Sequence, residues 1–221
     1  MKKLDEEIEK IKEFRLQFYN SHARVYNNTY QNDDDFLKEF QGFKKLVKIS
    51  PGQIVLDIAT GTGTYLIQMA KMGAVCYGID QSPNMLEELK SNFLKEEIEN
   101  SLKDVKIGAA ENLPYPNALF NWITCIGMFE YYPIKYVEIV LSEVKRILKP
   151  DGHFFFDIAD PNKKYAQERD WIFIYDLDEF KRIVKSLQFK TLKKNKAGQM
   201  IQFLLSKKQH KIYLTPKHKL H

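Results

Sequence analysis

Val55-Leu56-Asp57-Ile58-Ala59-Thr60-Gly61-Thr62-Gly63-Thr64-Tyr65 is the stretch on which the architecture turns. A β-branched, apolar run ends in an acid. A small-residue loop with a Gly-x-Gly step follows, and a helical pattern opens at Tyr65. This order predicts a buried parallel strand, a tight turn and a helix N-terminus. Gly61 and Gly63 let the backbone turn sharply and approach a ligand with no side chain between. The first helical turn leaves N–H groups free for polar ligand atoms. Asp57 is expected at the carboxyl end of the strand, where open α/β sheets place their ligands.

Dinucleotide sites want a third glycine three residues after the second, and this chain has Leu66 there. An acid at the strand end would repel a pyrophosphate and suits a ligand carrying a cationic amine. Working outward, Val75–Ile79 reads as a second strand ending in Asp80, 17 residues after Gly63. An acid at that place in a β-α-β unit can accept hydrogen bonds from both hydroxyls of a ribose. Ser82-Pro83-Asn84 then opens a helix, with proline at its first position. Residues 105–108, 120–126 and 153–158 read as further strands. Tyr136 to Leu148 is a helix with Val137, Val140, Leu141, Val144 and Leu148 at helical spacing, closed by Lys149-Pro150-Asp151-Gly152. Ala159 to Asp176 has no clean periodicity, and its aromatic residues are read as lining or plugging the ligand edge. Asp178 to Leu187 is the last helix, and residues 189–192 and 200–205 form a hairpin.

Before the first strand, Leu4, Ile8, Ile11, Phe14 and Phe18 mark the apolar stripe of an N-terminal helix. Phe36, Phe40, Phe43 and Val47 mark a second one. The chain has 221 residues, 44% of them hydrophobic, enough for one α/β domain with a full core. A single domain over residues 1–221 is expected: a helical cap segment over 1–50, a core over 51–206 and a basic tail over 207–221. No apolar run reaches membrane-spanning length, and the first residues carry no apolar signal region. Cys76 and Cys125 fall inside strands at a spacing unlike a metal motif, so no metal is expected and a cytoplasmic location is. The net charge of +5 is concentrated late, at Lys190, Lys193, Lys194, Lys196, Lys207, Lys208 and Lys211. Sparse arginine and the lack of an RNA-binding motif favour a solvated face over a nucleic-acid face.

Taken together, Asp57-x-Ala59-x-Gly61-x-Gly63, Asp80, Gln81-Ser82-Pro83-Asn84-Met85-Leu86, Leu113-Pro114, and Leu148-Lys149-Pro150-Asp151-Gly152 before an apolar strand resemble, in order, the class I S-adenosylmethionine-dependent methyltransferases. The resemblance is to small-molecule enzymes of methyltransferase type 11. Phe18 to Asn27 is loosely similar to the segment preceding their core, with Asn20 and Asn27 in place of acids. Ala59 replaces the first motif glycine, and Ala109 stands where the family has the acid that meets the adenine amino group.

The resemblance implies a Rossmann-like, seven-stranded, mostly parallel sheet with helices on both faces and a C-terminal antiparallel hairpin. It implies methyl transfer from S-adenosylmethionine, leaving S-adenosylhomocysteine, to a small-molecule acceptor by a monomer or homodimer. Gly61, Gly63 and Asp57 would hold the methionine part, Asp80 the ribose, and Ala110 with Glu111 the adenine region. Tyr26, Ala59, Gln81, Cys125 and Ile126 complete the cofactor set. Glu130, Tyr131, His22 and Tyr26 are the groups available as a general base. Cys125-Ile126-Gly127-Met128 is unlike the motif of nucleobase amino-methyltransferases. An RNA or tRNA methyltransferase, a non-catalytic S-adenosylmethionine-binding regulator and an NAD-dependent oxidoreductase are the rival readings.

Overall fold

The computed structural model describes residues 2–30 and 33–207. Seven α-helices and seven strands follow in the order α1 (Lys2–Tyr30), α2 (Asp34–Leu46), β1 (Ile54–Ile58), α3 (Thr64–Lys71), β2 (Val75–Asp80), α4 (Pro83–Lys95), β3 (Leu102–Ile107), β4 (Phe120–Cys125), α5 (Ile134–Ile147), β5 (Leu148–Ala159), α6 (Lys164–Gln167), α7 (Leu177–Ser186), β6 (Phe189–Ala197) and β7 (Met200–Lys207). They build one sheet in the order β3-β2-β1-β4-β5-β7-β6. The pairs from β3 to β5 are parallel, and β7 runs antiparallel to both β5 and β6. This is the Rossmann-like sheet and hairpin that the sequence implies. The strand order reverses direction between β1 and β4, and a crevice opens beyond their carboxyl ends.

Strand alternation divides the core. Leu56, Phe154 and Phe156 pack on one face of the sheet with Val137, Val140 and Val144 of α5. Val55 and Phe155 point to the other face, with Leu66 of α3, Leu89 and Phe93 of α4 and Phe43 of α2. Helix starts are fixed locally. Asp33 accepts from the N–H groups of Asp35 and Phe36, Ser82 from that of Met85, and Asp176 from those of Asp178 and Glu179. The expected Ser82-Pro83 start of α4 is observed.

Three elements differ from the expectation. Phe18 to Asn27 is the continuation of a single 29-residue helix. Its buried side runs through Ile8, Arg15, Tyr19, Ala23 and Tyr26, so Phe14 is 62% exposed. Of the expected stripe, Ile8 is buried and Leu4 and Ile11 pack on the core, while Phe14 faces out; Arg15, Tyr19 and Tyr26, polar or aromatic, share the inward side. Lys149-Pro150-Asp151-Gly152 does turn, but as an irregularity inside β5, where the pairing with β4 jumps from Leu148 to His153. Lys207 is the last residue of β7 and not the start of a tail; the remainder of the expected basic tail, 208–221, lies outside the described residues. Among the described residues, no helix is long and apolar enough to cross a membrane.

Candidate active site

The loop after β1 is held from below. Asp57 is buried and accepts hydrogen bonds from Thr60 Oγ1 at 2.9 Å and Thr124 Oγ1 at 2.5 Å. Burial raises its carboxyl to about 7 against these two bonds. Asp57 therefore ties the loop to β4 and does not line the crevice. Ala59 has φ 53°, the left-handed region that the family's usual glycine occupies without strain.

The two loop glycines face different surroundings. A Cβ on Gly63 would lie 2.9 Å from Leu89 Cγ, so this glycine permits α3 and α4 to pack. A Cβ on Gly61 would meet nothing within 4 Å, because Gly61 borders the cavity. Gly127, after β4, has the same open surroundings at φ 67°.

Asp80, at the end of β2, closes the other side. One carboxyl oxygen accepts the Gly61 N–H and the other the Ser82 N–H, each at 2.9 Å. Burial raises its pKa and these backbone bonds oppose the rise. The cavity between these elements has an empty volume of about 730 Å³ including its mouth. Tyr26, Ala59, Gly61, Asp80, Gln81, Ala110 and Ile126 line it, and so does Tyr131.

Helix α1 lies against the opening and is stitched to the loops beneath it. Thr62 Oγ1 donates to Asn27 at 2.5 Å, Ser82 Oγ to Asn20 at 2.6 Å, and Asn84 Nδ2 to the Asn20 carbonyl at 2.9 Å. The two asparagines standing in place of the family's acids are thus hydrogen-bond acceptors for the cofactor loop and the α4 start.

The other expected residues lie elsewhere. Gly63 packs on α4, as above. Glu111 joins α1 to α5, receiving Lys12 Nζ on one oxygen and the Tyr136 hydroxyl at 2.6 Å on the other. Burial works to raise the Glu111 carboxyl, but these bonds outweigh it and hold it below the ordinary value. Glu111 is turned toward α1 and α5 and does not line the cavity, so it does not replace the acid absent at Ala109. The Ala109 carbonyl receives the Asn112 N–H at 3.3 Å. Cys125 is buried with its thiol 3.9 Å from Met128 Sδ, and burial pushes that thiol well up. His22 is exposed, stacked on Phe18, with Nδ1 2.8 Å from the Phe18 carbonyl, and does not line the cavity.

Glu130 is buried beside the cavity wall, and its Oε2 has no hydrogen-bond partner. Burial and the neighbouring Asp157 push its carboxyl well above the usual range. Asp157 accepts the Gly127 N–H at 2.8 Å and is itself raised to about 7 by burial. Arg15, Leu16, Tyr19, Gly127 and Tyr132 also line the cavity. Sequence reading gave Arg15 and Leu16 no site role; Tyr132 was a candidate for substrate contact, Tyr19 for packing or ligand contact, and Gly127 falls in the strand-end stretch expected to meet the cofactor. The 3.6-residue spacing Arg15–Tyr19–Tyr26 would have found Arg15 and Tyr19 if polar side chains had been admitted to the buried stripe.

Residues 56–156 match a family model described as a methyltransferase domain. An uncharacterized methyltransferase of Synechocystis sp. is 32% identical over 127 residues, 57% of this chain and 53% of that protein. A demethylmenaquinone methyltransferase of Lactobacillus johnsonii is 34% identical over 113 residues, 50% of this chain and 45% of that protein. The chain spans about half the length of the curated relatives it matches. Among solved structures, magnesium protoporphyrin IX methyltransferase from Synechocystis PCC 6803 with bound S-adenosylhomocysteine is similar in fold. Its TM-score is 0.76 over 89% of this chain and 100% of that one, at 15% identity.

Proposed function

We propose that this chain, whose residues 56–156 match a methyltransferase-domain model, is a class I S-adenosylmethionine-dependent methyltransferase that transfers a methyl group to a small-molecule acceptor. The reading rests on one juxtaposition. A glycine with open space at its Cβ position and the half-buried carboxyl group that ends the neighbouring strand face the same cavity. S-adenosylmethionine supplies, when bound, a methyl group on a positively charged sulfur, ready for in-line displacement.

The chain's part is placement and exclusion of water. Asp80 would receive the ribose hydroxyls, with Gln81 beside it. Gly61 and Gly127 leave room for the methionine part, and Gly108 and Ala110 border the adenine end. Asp57 acts through Thr60 and Thr124 by holding the loop. Helix α1 covers the opening. Burial and the neighbouring Asp157 favour the neutral form of Glu130, which makes it a poor base. Tyr131 lines the cavity, but burial and the neighbouring Glu130 raise its phenol well above the ordinary value, so it is a hydrogen-bond donor to the acceptor and not a ready base. The names of the quinone and porphyrin relatives support a ring-bearing acceptor. The lysines at 190, 193, 194 and 196 lie on β6, the edge strand at the far end of the sheet, which supports a solvated face over a nucleic-acid track. Two unpaired, buried cysteines support a reducing, cytoplasmic setting.

Replacing Asp80 by alanine is expected to weaken S-adenosylmethionine binding about tenfold or more. A charge-assisted hydrogen bond contributes ~1.5–3 kcal/mol. Calorimetric affinity equal to that of the unchanged chain would remove Asp80 from the site. Detection of a methylated product by mass spectrometry tests the transfer itself.

A pH effect follows from the two carboxyls raised to about 7, Asp57 and Asp157. A cation bound nearby favours their ionised form and lowers both pKa values. Binding near pH 7 should therefore release protons, more for the sulfonium-bearing cofactor than for S-adenosylhomocysteine. The release should fade above about pH 9, where the groups have already ionised. Calorimetry in buffers of different ionisation enthalpy measures it, and buffer-independent heats at pH 7 would refute the coupling.

A further inference from the structure

A second depression opens on the outer side of the cavity wall. Its sides are Glu6, Glu7, Lys10, Ile11 and Phe14 of α1, facing Asp170, Trp171 and Phe173 of the connection between β5 and α7. Phe14 and Trp171 present 62% and 55% of their surface to solvent, an uncommon display of two large rings across one groove. Two residues, Arg15 and Tyr131, line both this groove and the inner cavity. The Arg15 guanidinium lies 3.6 Å from the centre of the Tyr131 ring, so the stacked pair forms the partition between the two spaces.

The charge state of this partition is unusual. Among the described residues, Arg15 forms no ion pair with an Asp or Glu, and its Nε is buried with no hydrogen-bond partner. A buried guanidinium N–H left unmade is costly unless something else accepts it. Glu130, the acid nearest in effect, makes no ion pair with it, and burial and Asp157 push that carboxyl toward its neutral form. Glu6, Glu7 and Asp170 are exposed at the groove's rim, where water screens them.

We propose that Arg15 selects the acceptor by donating to a negatively charged oxygen on a planar aromatic molecule that enters between Phe14 and Trp171 and reaches the partition at Tyr131. The inference rests on the methyl-transfer reading and adds to it the chemical class of the acceptor and the residue that reads it. The rings supply apolar contact for a flat molecule, and the guanidinium supplies planar donors matched to a carboxylate or phenolate.

The test uses the full chain saturated with S-adenosylhomocysteine, and two probes of one shape and different charge, 2-naphthoate and 2-naphthamide. Trp171 sits in the groove and reports binding by fluorescence quenching; Trp171→Phe identifies its share against the buried Trp122. The expected result is saturable quenching by naphthoate at least about tenfold tighter than by naphthamide. In Arg15→Met the two probes should bind alike, with a larger loss for naphthoate than for S-adenosylhomocysteine. Arg15→Lys should keep a reduced preference, since it retains the charge without the planar fork. Equal affinity of the two probes for the unchanged chain overturns the proposal and needs no variant. So does a loss of S-adenosylhomocysteine affinity in Arg15→Met as large as the loss for naphthoate, which would assign Arg15 to the cofactor's own carboxylate. Failure of the unchanged chain to bind S-adenosylhomocysteine would instead sink the methyl-transfer reading, and that titration is run separately.

Discussion

Phe156→Ala is expected to destabilise the fold by about 3–5 kcal/mol, the usual cost of deleting a fully buried aromatic ring. Phe156 is completely buried in β5, with ring centres of Phe154, Phe203, Phe129 and Phe180 at 4.9, 5.2, 5.4 and 5.6 Å. Its removal leaves a cavity bordered by two strands, α7 and the turn after β4, and such a site collapses poorly. For a chain of this size the melting temperature should fall by about 6–20 °C. The same change at Phe14, mostly exposed, should alter stability by no more than about 0.5 kcal/mol. Equal melting shifts for the two variants would show that the aromatic cluster is not what holds β5 and β7 together. The function should suffer as well. Phe129 belongs to the turn that carries Glu130 and Tyr131, and the Tyr175 hydroxyl anchors that turn through the carbonyls of Phe129 and Tyr132.

Gly61→Val carries the second large effect, this time on binding. The residue has φ 54°, which a β-branched side chain adopts at a cost of about 1–2 kcal/mol, and its Cβ would project into the space assigned to the cofactor. Cofactor affinity should fall by about two orders of magnitude or more, from lost room and a displaced Gly61 N–H to Asp80. Gly52→Val is the control. Gly52 has φ 81° and open space at its Cβ, but lies in the exposed turn before β1 and does not line the cofactor cavity. Comparable stability losses with binding lost only at Gly61 are the expected pattern. Undiminished affinity in Gly61→Val would place the cofactor elsewhere and undo the proposed function.

The contrast between Gly61 and Gly63 marks the limit of what a motif conveys. Both belong to the same Gly-x-Gly step, yet one faces a ligand space and the other faces Leu89 and Phe93. Spacing along a strand and loop specifies the turn and not the neighbour that a missing side chain would have met. Asp57 and Glu111 repeat the point. Their chemical type suited a ligand, but Thr60 and Thr124 occupy the first, and Lys12 and Tyr136 the second.

Strands, helix starts and the hairpin were readable from residue order alone. Alternation, capping and turn chemistry act between residues a few positions apart, so they are written into any local window. The Ser82-Pro83 cap, the apolar face of α5 and the acid ending β2 are of this kind. Only the folded chain decided which polar groups remained free, because that depends on partners tens of residues away. Asn20 came to Ser82 and Asn27 to Thr62 through the run of one long helix across the sheet's edge, and Arg15 was left on Tyr131 with a donor unspent.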